Sequence, residues 1–237
     1  MPDRTVFVHK FSRKEFREAC ERGDLKAVII PTGSNEQHLE HLAMEHDIKS
    51  STLVAEQAAL NLYPNVVVAV PMAIGISEHH MVHKGSLSAK PGGWLAVLFD
   101  AVENFARHGI FQIYICNGHG GNVAPVQGVL NQWKRFFAAT EPRVNLLFNS
   151  YWDLIPQEVA DRVLKTKRIP GHAQEFETAF AMYAFPENVR HDALTEEEAV
   201  QATREAGEVL VKEAITQVTE FTRGMLEGRI KAEITGL

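Results

Sequence analysis

The chain has 237 residues, 45% hydrophobic and 23% charged, with a formal net charge of −6. That length suits a single domain, residues 1–237, burying a sizeable core, and the acidic balance argues against a general nucleic-acid-binding surface. No stretch approaches the roughly 18 apolar residues of a membrane helix, and Met1-Pro2-Asp3-Arg4 lacks the apolar core of a signal peptide.

In chain order, residues 7–11 read as a strand. Ser12 then serves as an N-cap, with Glu15 completing a capping box. That helix runs to about Arg22 and stops at Gly23. Residues 27–30 are an apolar run that reads as a buried strand, broken by Pro31, Thr32 and Gly33. The loop that follows, to Asp47, carries Glu36, His38, Glu40, His41, Glu45 and His46. A helix is expected from Ser50 or Ser51 to Leu62, with Leu53, Val54 and Ala58 on its apolar side. Residues 66–70 read as a strand buried on both faces, as in a parallel sheet. A second polar loop holds Gly75, Ile76, Ser77, Glu78, His79, His80 and His83.

Residues 92–108 are expected to form a helix, with Trp94, Leu95, Leu98, Val102 and Phe105 as its core side. A strand at 113–116 ends in Asn117-Gly118-His119-Gly120-Gly121-Asn122, and a helix is expected from about Pro125 to Phe137. Residues 144–148 read as the next strand. A helix opens within Gly171-His172-Ala173-Gln174-Glu175-Phe176-Glu177-Thr178 and ends near Pro186. A mostly helical tail, residues 195–226, would start on a capping box at Thr195 and Glu198. Strands alternate with helices, so the class is α/β with a mostly parallel sheet. Each polar cluster follows a strand, and sites in such sheets gather at the carboxyl ends of the strands. Carboxylate and imidazole groups without thiolates suit zinc, manganese or iron(II). Cys20 and Cys116 read as reduced thiols of a cytoplasmic protein.

Four motifs stand in order: Glu36-Gln37-His38 with Asp47; Gly75-Ile76-Ser77-Glu78-His79-His80; Asn117-Gly118-His119 with Asn122; and His172 with Glu177-Thr178. Together they resemble the creatininase family of metal-dependent amidohydrolases over about residues 7–220. The resemblance implies a three-layer α/β/α fold and two divalent ions of zinc, manganese or iron. It assigns Glu36 and His119 to one ion, His38 to the other, and Asp47 to both. His172 would be a proton carrier beside the substrate, and Ser77 and His79 would meet the substrate. Gly120 and Gly121 stand where creatininase itself has Tyr and Glu, which removes a ligand and argues against creatinine as substrate. Glu177 is the expected replacement ligand, with Glu175 the alternative, and Glu177 is also a catalytic candidate that would orient His172. Leu39 and Ala43 replace the usual Gly and Pro of the first motif, reshaping the pocket wall.

The implied function is hydrolysis of a small cyclic or linear amide by a metal-activated water. Ring opening of a cyclic polyol ketone at a carbon–carbon bond is the alternative, and a non-catalytic metal- or ligand-binding protein is the reading outside enzymology. A small-molecule substrate and a homo-oligomer, a hexamer by resemblance, are implied; nucleic-acid and membrane partners are not. His41, His46, His80 and His83 read as hydrogen-bonding or surface residues. Glu40 and Glu45 read as a solvated rim, and His9, His108 and His191 as surface.

Overall fold

The computed structural model describes residues 5–235, so the reading of residues 1–4 as free of a signal peptide lies outside the described residues. The apolar runs found in sequence become four parallel strands: β1 (Ala27–Thr32), β2 (Val66–Val68), β3 (Gln112–Asn117) and β4 (Asn145–Ser150). Their order in the sheet is β2-β1-β3-β4. Strands this apolar need cover on both sides. Alternate residues of β1 supply it with two cores: Ala27 and Ile29 face one, Val28 and Ile30 the other.

The first core is closed by α2 (His46–Asn61), α5 (Gln157–Val163), α6 (Glu175–Ala184) and α7 (Arg204–Leu226). The second is closed by α1 (Arg13–Glu21), α3 (Pro91–Arg107) and α4 (Gly120–Thr140). The result is a three-layer α/β/α sandwich. From β1 the chain crosses to β2 on one side, then returns to β3 on the other. That reversal opens a crevice at the carboxyl ends of β1 and β3, where α/β sheets build sites. Among the described residues no helix is long and apolar enough to cross a membrane.

Several boundaries differ from the sequence reading, each for a local reason. Residues 7–11 are not a strand. Phe7 makes a lone bridge to Val68 at the sheet edge, then Val8–Lys10 turns so that the capping box at Ser12 can begin α1. Pro31 and Thr32 do not end β1; the Pro31 carbonyl accepts from Met72 N–H at 3.0 Å and the ladder continues to Thr32. β2 stops at Val68, and Val70 is exposed. α4 begins at Gly120, with Pro125 inside it rather than at its start. The tail is not one helix from residue 195. A short turn, Ala199–Gln201, precedes α7, whose cap is Thr203, its side chain accepting from Ala206 N–H at 3.1 Å. Glu196 rather than Thr195 makes the earlier cap, accepting from Ala199 N–H at 2.6 Å.

The most consequential shift is at α2. It starts at His46, four residues before the expected Ser50, and so places Asp47 in its first turn. A carboxylate there faces the positive end of the helix dipole. Gly118 lets this happen: a Cβ at that position would strike the Asp47 carbonyl oxygen and the Ser51 side chain. The first turn of α2 therefore sits directly on the ends of β1 and β3.

Candidate metal centre

Five side chains converge in that crevice: Glu36, His38, Asp47, His119 and Glu177, none more than 5% exposed. Asp47 is the centre. Its Oδ1 lies 3.0 Å from His38 Nε2, and its Oδ2 lies 2.9 Å from His119 Nδ1. Glu36 Oε1 is 3.3 Å from the same His119 nitrogen, and Glu177 Oε2 is 3.8 Å from His38 Nε2.

The far nitrogen of each ring is already committed. His38 Nδ1 donates to the Glu36 carbonyl at 3.1 Å. His119 Nε2 donates to the Ile76 carbonyl at 3.1 Å, with Ser77 Oγ also at 3.1 Å. Each near nitrogen is thus left facing carboxylates, where only a proton or a cation is stable. Without a metal the proton fills that role. Burial opposes a charged His38, but Asp47 and Glu177 raise its pKa to about 9. Burial likewise opposes a charged His119, yet hydrogen bonding to Asp47 and Glu36 raises it to about 10. Burial pushes Glu177 up to about 7, against the pull of His38. Asp47 and Glu36 stay below the ordinary carboxylate range; the nearby imidazoles outweigh their burial.

The carboxylate oxygen Glu36 Oε2 is buried without a hydrogen-bond donor. Buried acceptors are rarely left so. Sets such as Glu36, His38 and Asp47, or His38, His172 and Glu177, present ligand atoms within 4.8 Å of one another. Nitrogen and oxygen donors with backbone-oriented imidazoles fit divalent zinc, manganese or iron.

The two candidate glutamates of α6 part company. Glu175 turns away, its oxygens accepting from Lys165 N–H at 2.9 Å and Thr166 N–H at 2.7 Å. Glu177 turns inward and accepts from Ala173 N–H at 2.6 Å. A side chain at Gly121 would strike the Ile76 carbonyl and the His119 ring, so this backbone has no room for a ligand there.

A pocket of about 370 Å³ opens above the cluster, lined by His79, His80, Gly120, Gly121, Trp152, Pro170, Gly171 and His172 as well as by cluster residues. His79 lies on its exposed rim, its ring parallel to that of His119 at 5.8 Å. The resemblance puts Ser77 against the substrate, on the pocket wall. Ser77 is instead fully buried, bonded to Ser34 and His119, and orients the imidazole from behind. Asn117 and Asn122 also brace from behind: Asn117 donates to the His119 carbonyl at 2.7 Å, and Asn122 to the Gly33 carbonyl at 3.2 Å.

Sequence reasoning set His80 aside, and its ring now stands 3.5 Å from Glu36 Oε1. It also missed Gln37, which contacts His80 and His172, and Trp152. Gln37 had one signal, its place between Glu36 and His38. His41 is buried and hydrogen-bonded, as expected, to Thr178 Oγ1 at 2.9 Å. His46 is buried against Phe180 with its Nε2 unpartnered; burial and His38 depress its pKa to about 3. Glu40 and Glu45 are exposed, and Cys116 is buried as a free thiol.

Comparison with known proteins fits this geometry. A family model described as creatininase, creatinine amidohydrolase, matches residues 9–228. The 3-dehydro-scyllo-inosose hydrolase of Thermotoga maritima is 29% identical over 191 residues, 77% of this chain and 57% of that protein. The mycofactocin precursor peptide peptidase of Mycobacterium ulcerans is 29% identical over 113 residues, 45% of each chain. The creatinine amidohydrolase of Pseudomonas putida is 23% identical over 203 residues, 81% of this chain and 77% of that one. The chain thus spans about half the length of the first two relatives. Among solved structures, a manganese creatininase superposes with a TM-score of 0.81 at 21% identity, covering 93% of this chain and 98% of that one. A creatininase variant of Zn-Zn type gives 0.82 at 21% identity and the same coverage. At that identity the likeness establishes the fold.

Proposed function

The chain belongs to the creatininase family, and on that premise we propose that it is a metal-dependent hydrolase that cleaves the C–N bond of a small cyclic or linear amide. One observation carries the reading. Asp47 offers one oxygen to His38 and the other to His119, and each ring has its far nitrogen tied to a backbone carbonyl. Glu36, His119 and Asp47 would hold one divalent ion, and His38, Glu177 and Asp47 a second. The ions, when bound, supply an activated water and a Lewis acid for the scissile carbonyl.

The chain's own residues do the rest. Ile76, Ser77 and the Glu36 carbonyl fix the two imidazoles, and burial excludes bulk water from the carboxylates. In the reaction the water oxygen bonds to the carbonyl carbon, the C–N bond breaks, and a proton from the water ends on the departing nitrogen. His172, at the pocket mouth with Nδ1 3.8 Å from Glu36 Oε1, is the catalytic imidazole that meets the substrate. His79 lies beside it on the rim. The same donors would serve ring opening of a cyclic polyol ketone, a reading favoured by the similarity to the inosose hydrolase. We take the chain as one hydrolase domain, cytoplasmic and homo-oligomeric; light scattering that gives a monomer counts against the assembly.

The test joins metal content to a substrate screen. Purified protein should carry between one and two divalent ions per chain. Loaded with zinc, manganese or iron, it should turn over a member of a panel of lactams, formamides, short peptides and cyclic ketones. Protein that binds none of these metals ends the reading.

A further inference from the structure

Gln37 lies between two cluster residues in sequence, and its side chain is half-buried at the mouth of the pocket. Both ends of the residue are anchored. Its backbone N–H donates to Ser86 Oγ at 3.0 Å. Its side-chain oxygen accepts from Leu39 N–H at 2.9 Å, in a turn where Leu39 adopts a left-handed φ of 54°. A backbone N–H pairs with the amide oxygen and not with the amide nitrogen, so this contact sets which way the side chain points. The NH2 group then reaches His80 Nδ1 at 2.9 Å and His172 Nε2 at 2.8 Å, one hydrogen for each.

An amide nitrogen only donates, so both ring nitrogens must offer lone pairs. Each neutral ring therefore carries its hydrogen on the other nitrogen. For His80 that is Nε2, and for His172 it is Nδ1, the nitrogen turned toward Glu36. The two rings stack at 4.5 Å with an interplanar angle of 19°, which limits rotation of either.

We propose that Gln37 is the positioning residue of this site, holding His172 as the neutral tautomer with its hydrogen on Nδ1, so that the substrate meets a fixed hydrogen-bond donor. A second proton, on Nε2, would set donor against donor across 2.8 Å. Nδ1, already carrying a hydrogen, has no lone pair with which to take one up from the pocket. His172 therefore stabilises the oxygen or nitrogen on which negative charge develops, a task open to a neutral imidazole. The inference rests on the hydrolase reading for the identity of the reaction; the tautomer follows from the contacts alone.

Nitrogen-15 spectra of histidine-labelled, zinc-loaded protein test it, with His172→Ala assigning the resonances. In the unaltered protein His172 should show the pattern of a ring protonated at Nδ1 only. In Gln37→Glu the carboxylate accepts instead of donating, and the hydrogen should move to Nε2. In Gln37→Leu the ring should show a mixture. Metal content should hold in both variants. On the substrate that the screen returns, kcat should fall roughly 10²-fold in Gln37→Glu, with KM changed less than about threefold. An Nδ1-protonated ring in both Gln37→Glu and Gln37→Leu overturns the proposal, as does activity lost only in step with lost metal. If no substrate is found, the hydrolase reading alone is damaged, because the ring spectra still decide the tautomer.

Discussion

The buried cluster and the pocket mouth are both rich in histidine, yet they treat the imidazole in opposite ways. In the cluster, His38 and His119 donate from their far nitrogens to backbone carbonyls and turn the near ones to carboxylates. Their pKa values rise, to about 9 and about 10, because Asp47, Glu36 and Glu177 outweigh burial. At the mouth, His80 and His172 meet the donors of Gln37, and their pKa values fall, that of His172 to about 4 through burial and the neighbouring His38. The ring is the same; the partner of each nitrogen decides whether it suits a cation or a substrate.

The largest way to break that contrast is Asp47→Ala. It removes the group facing both cluster imidazoles, so it should lose more metal than Glu36→Ala or Glu177→Ala. In metal-free protein the stranded rings should cost about 3–5 kcal/mol of stability. Elemental analysis and chemical denaturation read the two effects, and full metal occupancy in the variant would end the bridging role. His172→Ala comes next and acts on the mouth alone. It should keep its metal while turnover drops by roughly 10²–10³-fold, the worth of one donor to developing charge, which steady-state kinetics beside metal analysis would check.

Two smaller substitutions sharpen the comparison. Glu175 and Glu177 are two residues apart on α6, but only Glu177 faces the cluster. Glu175→Ala should retain metal and lose about 1–3 kcal/mol, from two backbone donors left without their acceptor. Glu177→Ala should lose metal, and a reversed pattern would exchange their roles. Gly120 and Gly121 form the smallest pair. Gly120→Ala meets open space and should shift stability by no more than about 1 kcal/mol. Gly121→Ala drives a methyl into the Ile76 carbonyl and His119; it should melt lower than Gly120→Ala and bind metal more weakly.

Much of this was legible in the chain itself. The apolar runs at β1, β3 and β4, the capping box at Ser12 and the polar turns after each strand follow from local patterning, which depends on neighbours a few residues away. They fixed an α/β chain with its polar clusters at one sheet edge, and the four motifs named the residues that gather there. What they could not give was anything decided by approach between distant segments. The early start of α2 depends on Gly118 leaving space for Asp47, 71 positions away along the chain. The choice of Glu177 over Glu175 depends on Lys165 and Thr166 capturing the latter. Ser77 lies behind His119 rather than on the pocket wall because Ser34 holds it there. Local patterning and the four motifs determined which residue types gather at the carboxyl ends of the strands. Only packing, through excluded volume and the direction of single hydrogen bonds, decided which atom of each residue faces the site.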